Sequence, residues 1–380
     1  MSGVDDVVFR SGMNRVLMIK FGAIGDVVMA IPAAYAMHQA GAEVDWVCGA
    51  QVLPLLELYP WVRPIVVDDR TLFHGTAAER FGVLMGLWRT IGGREYALCA
   101  TLYYDARYRV VSLPVRAKRR VMLSHSDRLR TLLPGRHHTD EYLRVMQGVD
   151  GGPATVGLAP VRAERLPPSS LPRLPGAERV LLVPAGARNA LRSDGLRRWP
   201  MESYVAVARR LLELELAVVL VGGPDDGWAS EAFRGTGATD VLGRVTDVIG
   251  RLTIVETLAL MEDSDVVVTH DTGPLHLAGL TSVGIVSLFG PTDPRGRLPQ
   301  RAGTMAMWGG EGFACRPCYD GRSYADCKEN LCVQQVTPEM VVREVQFLLS
   351  QRRAGTLLPP RVVSPVSTVT ASFAERRTGV

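Results

Sequence analysis

The stretch RVLMIKFGAIGDVVMAIPAAYAMHQAG, residues 15–41, decides the fold class. Its first five residues form a short apolar run of the kind found in buried strands, and a loop containing glycine follows. The remainder has the apolar residues of a packed helix and ends at Gly41, a common stop for helices. Strand, glycine loop and helix in this order predict the repeating unit of an α/β fold.

The same alternation continues through the first half of the chain. Apolar runs that suit strands occur at Ala42–Gly49, Ile65–Asp69 and Glu95–Tyr103, with helical stretches between them. Strands that alternate with helices predict a parallel, doubly wound sheet.

A proline-dense segment, RLPPSSLPRLPG at Arg165–Gly176, separates two apolar regions. Proline at this density suits neither a helix interior nor a central strand, so we interpret residues 165–178 as a linker. After it, RVLLVPAGAR at residues 179–188 repeats the opening theme. The sequence therefore predicts an amino-terminal domain over residues 1–164 and a carboxyl-terminal domain over residues 179–351, each Rossmann-like.

Elements of the second domain can be predicted from the same patterns. Helices are expected at Pro200–Leu214, around Ile254–Glu262 and, with a threonine cap, at Thr337–Gln351. Strands are expected at Leu216–Gly223 and in DVVVTH, before residue 271. Residues 352–380 are rich in Pro, Ser and Thr and are expected to be mostly irregular.

Composition excludes several classes of protein. A chain of 380 residues with 47% apolar residues can bury two ordinary cores, and a net charge of +4 leaves no footprint for nucleic acid. The first residues lack a secretory signal and no run approaches a bilayer span, so we expect a cytoplasmic protein. Residues 106–138 hold nine Lys or Arg and one acid, which suits either an anionic partner, such as a membrane surface approached peripherally, or a solvated basic face.

The polar stretch HDTGPLHLAGL, residues 270–280, stands where a buried strand passes into a helix. Asp271 and Thr272 suit a helix cap, Gly273 lets a ligand approach the backbone, and Pro274 suits the first helical turn. The start of a helix attracts phosphate, and in a doubly wound sheet it lies at the ligand-binding edge. The alternative is an ordinary capped helix with His276 on its inner face.

Five motifs occur together in one order. They are KFGAIGDVVMAIPA (20–33), the Arg-Trp-Pro within RRWP (197–200), VGGPDD (221–226), HDTGPLHLAGL (270–280) and SLFGPTDP (287–294). In this order and spacing the chain resembles bacterial glycosyltransferase family nine, the lipopolysaccharide heptosyltransferases, over most of residues 15–345. The resemblance implies a GT-B architecture, in which two Rossmann-like domains face a cleft, with the acceptor on the first domain and the nucleotide sugar on the second.

The resemblance implies a catalytic base in the first domain. Transfer of a sugar to an alcohol needs a group that accepts the hydroxyl proton, and Asp26 matches the family's proposed base. Its residue type alone favours helix capping, and the family match reverses this preference. Lys20 would meet an anionic acceptor or the diphosphate, or is a surface lysine, and Gly22 and Gly25 would permit the loop turn.

In the second domain the resemblance implies a cradle for the diphosphate of the donor. The family usually carries a lysine where this chain has Arg197, which keeps the charge but changes the geometry of the contact. Arg188 is a second candidate cation. Asp247 lies about where relatives present an acid to the ribose, or is a plain surface acid. The remaining candidates, at the start of the helix, are Asp271, Thr272, Gly273 and His276.

No Asp-x-Asp signature stands at the end of a predicted strand, so no catalytic metal is expected. Four other residues form a compact cluster: Cys315, Cys318, Cys327 and Cys332. Their spacing suits a tetrahedral site for structural zinc or iron, free thiols or disulfides, and similar cysteines occur in iron-containing family members that modify autotransporter proteins. Cys48 and Cys99 stand in apolar surroundings and are expected to be buried free thiols.

The sequence thus predicts an inverting glycosyltransferase that uses a nucleotide-diphosphate sugar. By resemblance the donor is ADP-heptose, and the acceptor is a hydroxyl of either a lipopolysaccharide-core glycan or a protein. The rival interpretations are a nucleotide-sugar epimerase or hydrolase of similar fold, and a binding module without activity.

Overall fold

The computed structural model describes residues 14–150, 157–186, 195–309, 313, 315, 318, 327 and 329–365. The chain divides into two compact units, residues 1–166 and 167–380. This division falls within the proline-dense segment. Each unit has its own parallel sheet.

The first unit contains a five-stranded sheet in the order β3-β2-β1-β4-β5. Its strands are β1 (Arg15–Ile19), β2 (Glu43–Gly49), β3 (Val62–Val67), β4 (Glu95–Thr101) and β5 (Arg116–Met122). Its helices are α1 (Ile24–Gln39), α2 (Leu53–Leu56), α3 (Asp69–His74), α4 (Ala77–Gly92), α5 (Tyr108–Val111) and α6 (His138–Gln147), with short 3₁₀ turns at Ala50–Val52 and Arg128–Arg130.

The strand predicted from the opening run is confirmed, and it lies at the centre of this sheet. Residues 16–19 are fully buried because β1 has a strand on each side and helices cover the sheet. The edge strand β5 was not predicted. Its sequence RAKRRVM has charged residues at alternate exposed positions, a pattern typical of edge strands that must not pair with other chains.

The second unit contains a seven-stranded parallel sheet in the order β12-β11-β10-β9-β6-β7-β8. Its strands are β6 (Arg179–Leu182), β7 (Ala217–Leu220), β8 (Thr246–Asp247), β9 (Val266–His270), β10 (Gly284–Phe289), β11 (Thr304–Trp308) and β12 (Arg361–Val363). Its helices are α7 (Met201–Glu213), α8 (Gly227–Gly235), α9 (Thr239–Leu242), α10 (Ile254–Glu262), α11 (Gly273–Gly279), α12 (Leu331–Gln334) and α13 (Pro338–Ala354), with 3₁₀ turns at Gly195–Arg197, Pro224–Asp226 and Pro294–Gly296.

Residues 352–365 contain two short regular segments within the mostly irregular chain that the sequence predicts after residue 351. Helix α13 continues to Ala354, Gly355 ends it with a left-handed φ of 65°, and β12 then pairs in parallel with β11. Arg361 of β12 forms an ion pair of 2.5 Å with Glu344 of α13, which holds the strand against the helix. A strand of three residues is too short to produce a periodic pattern, so the sequence did not predict it.

Residues 366–380 lie outside the described part of the chain. Among the helices that are described, none combines the length and the hydropathy that a bilayer crossing requires.

Candidate active site

In the first unit the strand order reverses between β1 and β4. Strands β2 and β3 lie on one side of this point and β5 on the other, so the loops that follow β1 and β4 leave in opposite directions. Ligands of doubly wound sheets bind in the crevice that such a reversal opens at the carboxyl ends of the strands. Lys20 follows β1 and Tyr103 follows β4, and the lysine Nζ lies 4.8 Å from the centroid of the tyrosine ring.

Lys20 and Asp26 form an ion pair at this edge of the sheet. The distance between Lys20 Nζ and Asp26 Oδ2 is 3.0 Å. The lysine side chain is only 3% exposed, whereas 35% of the aspartate side chain remains exposed. The alternative of a surface lysine is therefore wrong. The buried ammonium holds one carboxylate oxygen, and a solute can still approach the carboxylate.

The surroundings of Lys20 fix its position. Its ammonium also lies 5.9 Å from the ring centroid of Tyr142, and its backbone oxygen accepts a hydrogen bond of 3.1 Å from Trp46 Nε1. Aromatic faces attract a cation, so these rings favour the position of the ammonium beside Asp26.

Asp26 is the third residue of α1, within its first turn. The residue that precedes the helix is Ala23, and no side chain caps the helix there. Capping as the N-cap residue therefore does not account for Asp26. A carboxylate in the first turn is stabilised by the partial positive charge of the helix start.

The two glycines predicted to form the loop do not have the same role. Gly25 is the second residue of α1, so the expectation that it makes the loop turn is wrong. Gly22 lies in the loop, and a Cβ there would meet nothing within 4 Å. Space alone does not require a glycine at that position.

In the second unit the strand order reverses between β6 and β9. The loops that follow these two strands touch each other at Gly186 and Thr272. Gly186 has a φ of +94°, and a Cβ there would lie 2.4 Å from Thr272 Oγ1. Both facts require glycine. The close approach places Thr272 at the ligand-binding edge of this sheet.

Asp271 is the centre of the charged groups at this edge. The carboxylate is buried and accepts a hydrogen bond of 2.7 Å from Thr292 Oγ1. Arg197 Nη1 lies 3.4 Å and Arg297 Nε 4.0 Å from Asp271 Oδ2. Burial acts to raise the pKa of Asp271, but Arg297, Arg197, His276 and the Thr292 hydroxyl outweigh it and hold the pKa below its usual value. The carboxylate is therefore ionised.

Two guanidinium groups thus share one buried carboxylate. Their side chains are 14% and 16% exposed, so each is largely enclosed but reaches the surface. The arrangement orients cations at the carboxyl edge of the sheet before any ligand arrives, which is what binding of an anion requires. The structure brings Arg197 and Asp271 together as candidates.

Arg297 and Thr292 were missed by the sequence analysis as site residues. Both follow β10, the strand beside β9, so their loop ends next to Asp271. The motif SLFGPTDP contains Thr292 and stops three residues before Arg297. Thr292 and Arg297 reach the site because β10 lies beside β9, and this strand order cannot be deduced from the sequence.

The start of α11 contains three further predicted residues. Thr272 is the N-cap residue but its side chain makes no cap hydrogen bond, and Gly273 begins the helix. His276 is buried on the inner face, as its structural alternative expects. The helix has only seven residues, so the nearby arginines are the stronger source of positive charge.

His270 lies directly before Asp271 and is fully buried. Its Nδ1 lies 3.1 Å from the hydroxyl of Tyr204. Burial, followed by the charges of Arg197 and Arg198, lowers the pKa of His270 to about 3, although Asp271 acts in the opposite direction. The ring is neutral at physiological pH and supports the end of β9.

This neutral histidine predicts a pH dependence of stability. The unfolded chain takes up a proton on this ring below pH 6.5, whereas the folded chain does so only near pH 3. The free energy of unfolding therefore falls as pH drops from 6.5 toward 3, by about 1.4 kcal/mol per pH unit at most. In urea titrations, the stability difference between the wild type and His270→Gln should narrow by about 2 kcal/mol between pH 6.5 and 4.5.

His74→Gln is the matched control, because His74 is an exposed histidine at the end of α3. It should leave the pH dependence of the wild type in place. If plots of the free energy of unfolding against pH run parallel for wild type and His270→Gln between pH 6.5 and 4.5, the buried neutral ring does not cause the pH dependence.

Two predicted donor-site residues, Arg188 and Asp247, are not among the described partners of Asp271. Arg188 lies outside the described residues. Asp247 is half-buried and is held within its own unit: it accepts hydrogen bonds from the Ser230 hydroxyl and the Ile249 amide, and Arg234 lies 3.5 Å away. It is not a plain surface acid. A role toward ribose stays a prediction.

All six cysteines are free thiols, so the alternative of disulfides is wrong. Cys48 and Cys99 are buried, as expected, and burial raises the pKa of each thiol to about 12.

The zinc or iron site expected at Cys315, Cys318, Cys327 and Cys332 stays a prediction. Within the described residues, which include all four, no group of three or more side chains is arranged to hold a metal ion. Their surroundings differ: Cys315 is exposed, Cys327 is half-buried, and Cys318 and Cys332 are buried.

The Cys318 thiol interacts with the other three cysteines. Its Sγ donates a hydrogen bond of 3.3 Å to the carbonyl oxygen of Cys315. Burial and the neighbouring cysteines, Cys315, Cys332 and Cys327, raise the pKa of Cys318 to about 11. In the metal-free chain this thiol is therefore protonated. A metal binds the thiolate, so metal binding here would release the proton.

The basic stretch of residues 106–138 divides into two kinds of residue. Arg119 and Arg120 donate to backbone carbonyl groups, and Arg136 lies 2.7 Å from the buried Glu141. These arginines stabilise the fold. Arg109 and Arg116 are exposed, and among the residues that the structure describes they have no salt bridge. The basic surface that is open to an anionic partner is therefore smaller than the stretch itself.

A family model described as glycosyltransferase family 9 (heptosyltransferase) matches residues 179–327. Over these residues the chain is similar to glycosyltransferase family 9. The matched part begins at β6 and includes Asp271 with its partners Arg197, Thr292 and Arg297. The resemblance that the five motifs indicated is confirmed.

Relatives of known name agree with this assignment. Lipooligosaccharide heptosyltransferase 2 of Haemophilus influenzae is 26% identical to this chain over 157 residues. These residues cover 41% of this chain and 44% of that protein. The match therefore spans less than half of the relative's length. Lipopolysaccharide heptosyltransferase 1 of Pseudomonas aeruginosa is 24% identical over 367 residues, with 88% of this chain and 98% of that protein covered.

A solved structure supports the fold. The structure of the Escherichia coli ADP-heptose lps heptosyltransferase II matches with a TM-score of 0.66 at 20% identity, over 89% of this chain and 99% of that one. The prediction of two α/β domains with parallel sheets in a GT-B architecture is confirmed.

Proposed function

We propose that this chain is an inverting glycosyltransferase that moves heptose from ADP-heptose to a hydroxyl of a lipopolysaccharide-core glycan. The observation that carries the proposal is the pair of guanidinium groups around Asp271, at the point where the second sheet reverses its strand order. The names of the relatives supply the sugar and the class of acceptor.

The second unit is assigned to the donor. Arg197 and Arg297 would stabilise the negative charge that collects on the diphosphate as the bond to the sugar breaks. Thr272 and Gly273 would approach the phosphates, since Gly186 leaves room beside them. Asp271 and its bond to Thr292 position the two arginines, and the neutral His270 supports Asp271 from the end of β9.

The first unit is assigned to the acceptor. Asp26 would accept the proton of the attacking hydroxyl, and Lys20 would hold the carboxylate in place at 3.0 Å. One base and one direct attack on the anomeric carbon predict inversion at that carbon. The step forms the new glycosidic bond, breaks the bond to the diphosphate and moves one proton to Asp26.

The choice of a glycan acceptor rests on charge. Exposed basic residues of the first unit, Arg109 and Arg116 among them, suit a phosphorylated lipid-core oligosaccharide. The protein acceptor was supported in sequence by the cysteine cluster, and among the described residues no group of three or more side chains is arranged around a metal ion. Contact with an anionic membrane surface belongs to the same proposal, and the mechanism assigns no step to a metal ion.

Release of ADP from ADP-heptose tests the function. With a lipid-core oligosaccharide present, the chain should release ADP in step with formation of a heptosylated product whose anomeric configuration is inverted. Without an acceptor, release should fall to a small fraction of that rate. An epimerase or hydrolase would consume the donor without acceptor, and a binding module would consume none. Either result would contradict the proposal.

A further inference from the structure

One asparagine of the second unit joins the segment of the four cysteines to the turn that contains Arg197. Asn330 lies two residues before Cys332 and directly before α12. Its backbone is left-handed, with φ 39° and ψ 37°, a conformation that asparagine tolerates better than most residues. Within the described residues its side chain makes no capping hydrogen bond to α12. Helix capping therefore does not account for an asparagine at this position.

The amide of Asn330 makes three hydrogen bonds that fix its orientation. Its Nδ2 donates hydrogen bonds of 3.0 Å to the carbonyl oxygen of Arg198 and 3.4 Å to that of Leu196. Its Oδ1 accepts a hydrogen bond of 2.9 Å from Gln334 Nε2. Only the nitrogen of the amide can donate, so a flipped amide would direct an oxygen at two carbonyl oxygens. The partners therefore determine which way the side chain faces.

The two carbonyls that Asn330 binds lie before and after Arg197 in the chain. The 3₁₀ turn Gly195–Arg197 is closed by a hydrogen bond of 3.0 Å from the Arg198 amide to the Gly195 carbonyl. Because peptide groups are planar, a donor that holds carbonyls on both sides of Arg197 limits the rotation of its backbone. Asn330 thus fixes the base of the side chain whose Nη1 lies 3.4 Å from Asp271 Oδ2.

Two further hydrogen bonds hold the same turn. Arg198 Nε donates a hydrogen bond of 2.9 Å to the carbonyl of Gly186, the residue at which the loops after β6 and β9 touch. Trp199 Nε1 donates a hydrogen bond of 3.0 Å to the carbonyl of Val336, just after α12. The turn is therefore attached to residues on both sides of α12 and to the ligand-binding edge of the sheet.

Helix α12 also packs against the loop that carries the second arginine. Gly290 directly follows β10, and a Cβ there would lie 2.9 Å from Val333 Cβ and 3.0 Å from Cys332 Sγ. An added side chain at this position would require α12 to move. Thr292, which binds the buried carboxylate of the site, is two residues further along the same loop. This short helix therefore contacts both loops that carry the arginines of the site.

We propose that Asn330 is a positioning residue for the diphosphate site and that it acts through Arg197. The inference rests on the proposed function, since it takes Arg197 to bind the diphosphate. Asn330 itself does not contact the ligand, because its Nδ2 is directed at two backbone carbonyls. It holds the turn in place, so the guanidinium meets the phosphates without the loss of backbone freedom that would otherwise weaken binding.

Calorimetric titration with ADP and with adenosine tests the inference. Asn330→Gly removes the amide and keeps the left-handed backbone, because glycine adopts a positive φ freely. It should lower the affinity for ADP by about 5- to 20-fold, and by no more than Arg197→Gln does, while the affinity for adenosine stays within about twofold of the wild type.

Gln335→Ala is the matched control for Asn330→Gly. Gln335 is also a half-buried amide next to α12, but it donates its hydrogen bond of 3.5 Å to the Leu331 carbonyl, within its own segment. The control should bind ADP within about twofold of the wild type.

The double variant Asn330→Gly, Arg197→Gln shows whether Asn330 acts through Arg197. Once the guanidinium is absent, Asn330 has no ligand contact to position, so Asn330→Gly should lower the affinity for ADP by less than about twofold in this background. A merely structural role would add its full loss of affinity here as well. Additive losses would overturn the inference, and so would an unchanged affinity for ADP in Asn330→Gly alone.

Hydrogen exchange without ligand gives a readout that does not depend on nucleotide binding. Mass spectrometry of a peptide that contains residues 195–199 should show exchange at least about threefold faster in Asn330→Gly than in the wild type, and no change in Gln335→Ala. Equal rates in Asn330→Gly and the wild type would overturn the inference. Failure of the proposed function is seen elsewhere: Arg197→Gln would then bind ADP as tightly as the wild type, which would overturn both proposals.

Discussion

Asp26→Asn is expected to lower kcat for sugar transfer by about 10²- to 10⁴-fold and to leave the affinity for ADP unchanged. Asparagine keeps the size of the side chain and a bond to Lys20 but cannot accept a proton. The range corresponds to about 3–5 kcal/mol of transition-state free energy. The affinity should stay constant because the residues assigned to the diphosphate, at Arg197 and Arg297, belong to the other unit.

The measurement is a pair of assays: initial rates of ADP release with saturating donor and acceptor, and calorimetric titration of ADP. Glu43→Gln is the control, since Glu43 is also a carboxylate paired with a cation, Arg15, but lies at the amino-terminal edge of the same sheet. Its kcat should stay within about twofold of the wild type. If kcat of Asp26→Asn falls by less than about threefold, Asp26 is not the base. If the affinity for ADP falls as much as kcat does, the substitution has changed the fold.

The fold was largely predictable because buried parallel strands produce long apolar runs. The strand Arg15–Ile19 and the helix Ile254–Glu262 have the bounds that the sequence predicts. Strand β5 and strand β12 were missed for a physical reason. Edge strands bury only one face or only a few residues, so charge and short length hide their period.

The candidate site was predictable only where chemistry and position coincide in sequence. Asp26 stands beside Gly25 in the first turn of the helix that follows β1, and Asp271 directly follows β9, so the motifs indicate both. Arg297 does not, because its contact with Asp271 comes from the adjacency of β10 and β9. The spacing of the four cysteines from Cys315 to Cys332 predicts a metal set, and this stays a prediction because spacing fixes the reach of the side chains and not the direction of their sulfurs.

Removal of the arginines of the second unit should weaken the binding of ADP much more than that of adenosine. Charge-assisted hydrogen bonds to phosphate contribute about 1.5–3 kcal/mol each, so Arg197→Gln or Arg297→Gln should lower ADP affinity about 10- to 100-fold. Adenosine lacks the diphosphate and should bind within about threefold of the wild type. The ratio of the two dissociation constants, from calorimetry at fixed salt, is the measurement.

This ratio separates contact with phosphate from loss of structure. Each arginine also balances the buried charge of Asp271, so its removal lowers stability, and a misshapen site would weaken both ligands equally. Arg197→Lys is the matched variant, because it keeps the charge and loses the planar fork. If charge is what the diphosphate needs, lysine at 197 should restore most of the ADP affinity, while an equal loss in Arg197→Lys and Arg197→Gln would make the forked geometry essential. A fall in adenosine affinity as large as that for ADP would remove both arginines from the diphosphate site.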